Sequence, residues 1–378
     1  MSRLPGSFIS KSFMKNILTT ICPVALLFLL VTRAVAQTPA DDSVRFDYRK
    51  IFSLCLDANV SSALTAIETD GSKKISERNQ LFKTVFENRF KYEEDKSGFL
   101  SERRSGIDSL LAIYQRYWRM ALLHPDIDYD KDLQASLTAF LQKNYLPASS
   151  TIIKEDSLDS YLKKYVESNH LHSTGFGKTG KLYDLLVWKT ETDTVYSFAL
   201  GKEILRPLVV FMDDFVTLGW EEYATLGKLY PGGWTIPTAL YCVRKAYDLN
   251  SESFLISYLA HEGRHFADTK LFPVLSSPDL EYRAKLVELS LADKTLYDLI
   301  DFFITNANYD SKNGHSVADY CAIRDLSKAI FHVEFEKDKS KWQQVGREKI
   351  NAEAAKILEA NTKILLGKGS KVKKYIKS

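Results

Sequence analysis

The chain has 378 residues, of which 45% are hydrophobic and 26% are charged. These proportions are those of an ordinary globular protein, and they exclude a disordered chain, a collagen and a protein with several membrane spans. The formal net charge is +3, and the whole excess lies in the first 36 residues, which contain four basic residues and no acidic one. The remainder is close to neutral, so charge gives no reason to predict a nucleic-acid partner.

Residues 1–36 have the pattern of a secretory signal peptide. Basic residues precede an apolar stretch at 17–31, which is too short and too poorly flanked for a membrane-spanning helix. Small residues at 34–36 predict cleavage after Ala36. We therefore expect a secreted or periplasmic protein that has no stable membrane span once the signal is removed.

An all-helical N-terminal region is predicted over 37–170. Apolar residues recur there mostly at intervals of three and four positions, which is the pattern of a helix with one buried face. The clearest helical runs lie at 81–90, 107–121, 131–144 and 155–168.

The sequence changes character near Gly175, where β-branched and aromatic residues become frequent. These residues predict strands over 181–189 and 195–200, joined by a hairpin turn at the polar residues 190–193. Further strands are predicted at about 208–218 and 235–247. Helices then return at about 251–269, 278–293, 316–331 and 342–365.

The order of helices, a small and mostly antiparallel sheet, and helices again is typical of the α+β class. We predict that residues 171–378 form the functional domain. Three cysteines remain after signal removal, so at most one bridge forms within the chain. A Cys242–Cys321 bridge and buried free thiols are equally compatible with the sequence.

Residues His261 to His265 form an HExxH motif. A helix start at 250–252 precedes it, so the motif is predicted to lie within a helix. Four residues advance an α-helix by about one turn, so His261 and His265 project from one face and can hold one zinc ion. Glu262 is rotated by about 100° from His261, where it can act as general base toward a water that the metal acidifies.

A catalytic zinc site needs a third protein ligand. The metzincin pattern is excluded, because Asp268 and Leu271 stand where its glycine and third histidine belong. A second helix start at 277–279 is followed by Glu281, and the small Ala284 allows that helix to approach the first one closely. Glu281 is the favoured third ligand. Glu288, seven positions later and on the same face, is the alternative.

The HExxH motif together with Glu281-Tyr282-Arg283-Ala284 resembles the gluzincin group of zinc metallopeptidases over about residues 232–293. The resemblance implies a zincin-like catalytic domain, in which an antiparallel edge strand borders the cleft directly before the HExxH helix. The strand predicted at 235–247 has this position. The resemblance also implies one Zn²⁺ and hydrolysis of peptide bonds.

An acyl-transfer site also needs a donor for the oxyanion. His315 and Tyr320 are candidate catalytic residues for this role, and Arg324 is a third possibility. The sequence thus predicts an exported zinc-dependent hydrolase, a metallopeptidase acting on a peptide or protein substrate. The alternative is an exported helical binding or interaction protein with an inactive, metal-free zincin-like domain.

Overall fold

The structure is a computed structural model that describes residues 46–70, 75–97, 106–146, 153, 155–200, 203–311 and 313–376. The predicted signal peptide at 1–36 lies outside the described residues. Six α-helices lie in the described residues of the N-terminal part, in agreement with the predicted helical region. They are α1 (Tyr48–Leu56), α2 (Val60–Asp70), α3 (Glu77–Phe90), α4 (Gly106–Leu123), α5 (Asp130–Asn144) and α6 (Leu158–Ser168).

The hydrophobic core of these helices continues beyond residue 170. Leu182, Leu185 and Val187 belong to the same buried cluster as the apolar faces of the N-terminal helices. Trp220 and Tyr223 join it as well. The helical region is therefore packed on the first strands rather than separated from them.

Eleven short strands follow within the described residues. They are β1 (His172–Ser173), β2 (Gly177–Thr179), β3 (Leu182–Asp184), β4 (Leu186–Trp188), β5 (Thr190–Val195), β6 (Phe198–Leu200), β7 (Glu203–Leu205), β8 (Leu208–Asp213), β9 (Thr217–Leu218), β10 (Gly233–Ile236) and β11 (Ala239–Val243). A short helix, α7 (Trp220–Ala224), lies between β9 and β10.

The largest sheet has four strands in the order β10-β11-β8-β5. Its outer pairs, β10 with β11 and β5 with β8, are antiparallel, whereas β11 and β8 run parallel. The other strand pairs are antiparallel and form small sheets, of which the hairpin β6–β7 is one. The predicted α+β class with small, mostly antiparallel sheets is confirmed.

Several strand predictions were wrong in detail. The segments predicted at 181–189 and 208–218 each contain two strands that belong to different sheets, β3 with β4 and β8 with β9. Residues 190–193 form no turn, because they belong to β5 and pair along β8. Their side chains are mostly exposed, since β5 is an edge strand, and edge strands tolerate polar residues. The strand predicted at 235–247 is a hairpin, because Pro237 cannot continue a strand and lies in the turn between β10 and β11.

The C-terminal part is helical again. A π-helical segment (Ser253–Ala260) leads into α8 (His261–Leu271), and the later helices are α9 (Ser277–Leu291), α10 (Leu296–Asn306), α11 (Gly314–Phe331), α12 (Lys339–Val345) and α13 (Arg347–Lys368). The sequence did not predict α10. The single helix predicted at 342–365 is interrupted at Gly346, whose φ of +84° lies in the left-handed region.

Helix α9 is the centre of this part, since residues 279–289 are all buried. It packs against α8, α11 and α13. A buried ion pair joins α8 to α9, because the Arg283 guanidinium donates to both carboxylate oxygens of Asp268, at 2.7 and 3.0 Å. Arg283 also donates to Asn361 of α13 at 2.5 Å. Charge-assisted contacts of Arg283 thus join α8 and α13 to α9.

Cys55, Cys242 and Cys321 are buried free thiols, so the alternative without a Cys242–Cys321 bridge is the correct one. Among the described helices, none combines the length and the hydrophobicity that crossing a membrane requires.

Candidate metal centre

The HExxH motif opens α8, and the helical chain leading into it begins as predicted. Ser251 Oγ accepts a hydrogen bond from the Phe254 amide at 3.1 Å, which is a capping contact. The carboxylate of Glu252 instead accepts from the amides of 293–295, where α9 ends and α10 begins. Both contacts fix the helix that carries the motif.

Gly263, within the motif, is explained by packing. A Cβ atom at this position would overlap the ring of Phe198, which lies on β6. A glycine in a helix interior costs about 1 kcal/mol relative to alanine. The absence of a side chain at Gly263 allows the β6–β7 hairpin to approach α8 closely, and this contact explains why the cost is tolerated.

His261, His265 and Glu281 lie together and are buried. The two imidazole Nε2 atoms are 3.1 Å apart. Glu281 reaches both of them, with Oε2 at 3.4 Å from His261 Nε2 and Oε1 at 3.3 Å from His265 Nε2. Two helices, α8 and α9, therefore bring three donor groups to one point.

These separations can be compared with those of a zinc site. Zinc binds histidine nitrogen and carboxylate oxygen at about 2.0–2.1 Å, and the donors at the corners of such a tetrahedron are about 3.3–3.4 Å apart. The 3.1 Å between the two nitrogens is close to that distance, whereas the 3.3 and 3.4 Å contacts involve different oxygens of Glu281. With one donor atom from each residue, the three donors lie within 4.8 Å of one another, so the group could hold one metal ion.

Glu288, the alternative ligand, contacts the other side of the first histidine. Its Oε1 atom is 2.7 Å from His261 Nδ1, so His261 can donate its Nδ1 proton to Glu288 and keep Nε2 for a metal. Lys285 lies between the two glutamates on α9, buried, and pairs with Asp319 of α11 at 2.8 Å. Its positive charge offsets part of the negative charge that the glutamates bring into the core.

The electrostatics of the site follow from burial and close charges. Burial lowers the pKa of His261, but the carboxylates of Glu288 and Glu281 outweigh it and raise that pKa to about 10. Burial also acts to raise the pKa of Glu281, but the positive charges of His315 and His265 hold it well below its usual range. Before any metal binds, the imidazole of His261 is therefore positively charged at neutral pH, and Glu281 is ionised.

This arrangement predicts proton release when zinc binds. A histidine that binds a metal must be neutral. A pH of 8 lies below the raised pKa of His261, so this side chain is protonated before zinc binds. Binding of zinc should therefore release about one proton from His261. Calorimetric titration of the protein with zinc, in buffers of different ionisation enthalpy, measures the number of protons released. In the Glu288→Gln variant the main cause of the raised pKa is gone, so fewer protons should be released. Equal release by both proteins would contradict the prediction.

Glu262 is fully buried beside the triad formed by His261, His265 and Glu281. Burial raises its pKa, while the charges of His265 and His261 and a hydrogen bond from Thr235 act in the opposite direction. The Thr235 hydroxyl lies 2.5 Å from Glu262 Oε2. The second oxygen, Oε1, accepts no hydrogen bond from the described residues, although it is buried. An unpartnered buried oxygen of this kind is suited to a water at a metal centre.

His315 and Tyr320, both predicted to be catalytic, have different surroundings. His315 Nδ1 lies 3.0 Å from Glu281 Oε2, so α11 brings this side chain to the edge of the triad. The Tyr320 ring packs between Tyr309 and Phe335, and no contact to the triad is among its described contacts. The catalytic role of each residue stays a prediction.

Sequence reasoning missed two contributors to the site and misjudged the role of a third. Thr235 was read only as part of a strand, although the alternation of side chains along β10 would have shown which of its residues face α8. Lys285 follows Glu281 by one helical turn, a spacing that indicates contact with the same buried face. Glu288 was identified, but as a rival ligand rather than as the partner of His261.

Comparisons of the chain with known protein families, with characterised proteins and with solved structures found no match. The described residues contain one buried His-His-Glu group that could hold a metal ion. Two imidazole nitrogens and a carboxylate oxygen are the donors of many catalytic zinc sites.

Proposed function

We propose that this protein is a zinc-dependent hydrolase, and that its substrate class is the peptide bond. The observation that carries the proposal is the buried triad of His261, His265 and Glu281, whose donor atoms lie within 4.8 Å of one another. The neighbouring Glu262 favours a catalytic site over a purely structural one, since a structural ion needs no base beside it.

His261, His265 and Glu281 would hold the ion, and the two helices α8 and α9 would fix their positions. Glu288 orients His261 through its Nδ1 atom, which leaves Nε2 as the donor. When bound, zinc supplies a water acidic enough to lose a proton near neutral pH and polarises the carbonyl of the substrate.

Glu262 then acts as the base and afterwards as the acid. Its free oxygen, Oε1, accepts the proton of the attacking water, and the same oxygen returns that proton to the leaving amine. The burial that raises the pKa of Glu262 makes its carboxylate a stronger base than one in water. His315, at the edge of the triad and partly exposed, is the best placed of the predicted oxyanion donors.

Export is also a proposal, and it rests on the pattern of residues 1–36. The assignment of peptides as the substrate class rests on the gluzincin resemblance of the HExxH motif and Glu281. The antiparallel edge strand required by that resemblance corresponds to β10, which contacts α8.

Metal content and chelation test the proposal directly. We expect the purified protein to contain about one zinc per chain and to cleave members of a mixture of quenched fluorescent peptides. Removal of zinc with EDTA should abolish cleavage, and addition of zinc should restore it. Stoichiometric zinc without hydrolysis of any peptide would indicate a structural site, and absence of zinc would favour the inactive binding protein.

A further inference from the structure

We propose that Thr235 is a positioning residue for the general base. Its hydroxyl holds one carboxylate oxygen of Glu262, and the other oxygen is thereby left for the reacting water. The inference rests on the proposed function, because it assigns a task to Thr235 only if Glu262 is the base.

The strand β10 presents Thr235 to α8 through the alternation of its side chains. Trp234 stacks on Tyr241 at a centroid distance of 5.4 Å, on the face of the sheet that packs against Trp188. Gly233 and Thr235, one position to either side, are on the opposite face. The register of Thr235 opposite Leu240 of β11 fixes this orientation, since a shift by one residue would turn the hydroxyl away.

Close contact between strand and helix brings the hydroxyl within reach. A Cβ atom on Gly233 would lie 2.6 Å from Cε2 of Tyr258, a residue of the helical segment that leads into α8. Only glycine allows β10 to come this near. Tyr258 itself is fully buried with Leu240 and Cys242 in the core beneath the sheet, so the distance between strand and helix is set by packed side chains.

The hydroxyl of Thr235 has two acceptors on one residue. It lies 2.5 Å from Oε2 of Glu262 and 3.2 Å from the backbone oxygen of Glu262. The shorter contact is to a carboxylate and is the stronger one, because ionised acceptors strengthen hydrogen bonds. The β-branched side chain of threonine has few χ1 rotamers, so the donor is held in place by its own geometry.

These contacts give the two carboxylate oxygens of Glu262 different surroundings. Oε2 is occupied by Thr235, whereas Oε1 accepts nothing from the described residues although it is buried. A carboxylate without Thr235 could rotate about its last bond and exchange the two oxygens. Holding one of them restricts that rotation, and restricted geometry is what general-base catalysis requires.

Three variants of the full chain, loaded with zinc, test the proposal. Thr235→Val removes the hydroxyl but keeps the shape of the side chain, and Thr235→Ser keeps the hydroxyl. Thr238→Val removes an exposed hydroxyl from the turn of the same hairpin and serves as the matched control. The measurements are zinc content, the affinity for acetohydroxamic acid, and kcat and KM on a peptide that the wild type cleaves. Acetohydroxamic acid is a suitable probe because it binds zinc as an anion and gives its proton to a nearby carboxylate.

We expect all three variants to retain about one zinc per chain. Thr235→Val should bind acetohydroxamic acid about 10-fold more weakly and lose about 10–100-fold in kcat, with KM unchanged. Thr235→Ser and Thr238→Val should remain close to the wild type. Loss of zinc from Thr235→Val, an unchanged affinity for the probe, or a Thr235→Ser variant as impaired as Thr235→Val would overturn the proposal.

The two proposals can fail separately. If the wild type holds zinc and binds acetohydroxamic acid but cleaves no peptide, the proposed function is wrong, and the affinities of the three variants for the probe then decide only whether Thr235 positions the carboxylate of Glu262. If the wild type cleaves peptides and Thr235→Val does so equally well, the positioning role is wrong and the proposed function stands.

Discussion

Glu262→Gln is expected to abolish hydrolysis while leaving the metal in place. Glutamine has nearly the shape of glutamate and can still accept the hydrogen bond of Thr235, but it cannot take a proton from water. Loss of a general base costs about 10²–10⁴-fold in rate, or about 3–5 kcal/mol of transition-state stabilisation. The measurement is kcat on a cleaved peptide, with zinc content determined on the same sample.

The control for this variant is the zinc content of the wild-type and variant proteins. Glu262 makes no contact with a ligand nitrogen that the amide would break, so we expect about one zinc per chain in both proteins. A Glu262→Gln protein that retains zinc and full activity would refute the assignment of Glu262 as the base. Loss of zinc from the variant would mean that Glu262 belongs to the ligand set, contrary to the geometry.

Glu281→Ala should release the metal. The residue supplies the only carboxylate of the triad, and its removal leaves two histidines, which are too few ligands for a stable zinc site. Substitution of residues that only hydrogen-bond to a metal ligand already lowers metal affinity by about 10–100-fold. Loss of a ligand itself should therefore lower the zinc affinity by more than about 100-fold. Competition with a zinc-binding dye measures the affinity, and circular dichroism shows whether the variant folds.

Glu288→Ala is the matched comparison, because Glu288 is a buried glutamate on the same helix and contacts the same histidine. It should weaken zinc binding by about 10–100-fold and keep a measurable site. The reverse result, zinc retained by Glu281→Ala and lost from Glu288→Ala, would make Glu288 the third ligand. Thermal denaturation gives an independent reading, since a ligand that binds only the folded protein raises its stability.

Much of the fold could be predicted because helical periodicity is strong in this chain. The runs that became α4 and α5 show one apolar face each, and that pattern alone indicates a helix. Helix α10 was missed although its core residues Leu296, Ile300 and Phe303 recur at intervals of four and three, and Asp298 is exposed on another side. The helical period is present in this segment, so the helix could have been predicted from the sequence.

The middle of the chain was harder to predict because sheet context decides what a residue does there. The threonines and acids of β5 look like a turn in isolation, and only pairing with β8 makes them a strand. The π-helical segment before α8 has no known sequence signal, since it depends on how Phe254 and Tyr258 pack beneath the sheet.

The candidate site was predictable as far as its ligand types. Spacing placed His261 and His265 on one face, and a helix start placed Glu281 on the next helix. Which nitrogen faces which carboxylate depends on the packing of α9 against α8, and a sequence does not give that packing. The same holds for the buried ion pair between Asp268 and Arg283, which joins α8 to α9.

All three ligands of the candidate site come from two consecutive helices, α8 and α9. His261 and Glu281 are 20 positions apart, so the loop that must close to bring them together is short. Loop-closure entropy grows with the logarithm of loop length, and this one costs about 1.4 kcal/mol less than a loop of about 100 residues. Capture of an ion by this helical hairpin therefore requires little ordering of the distant chain.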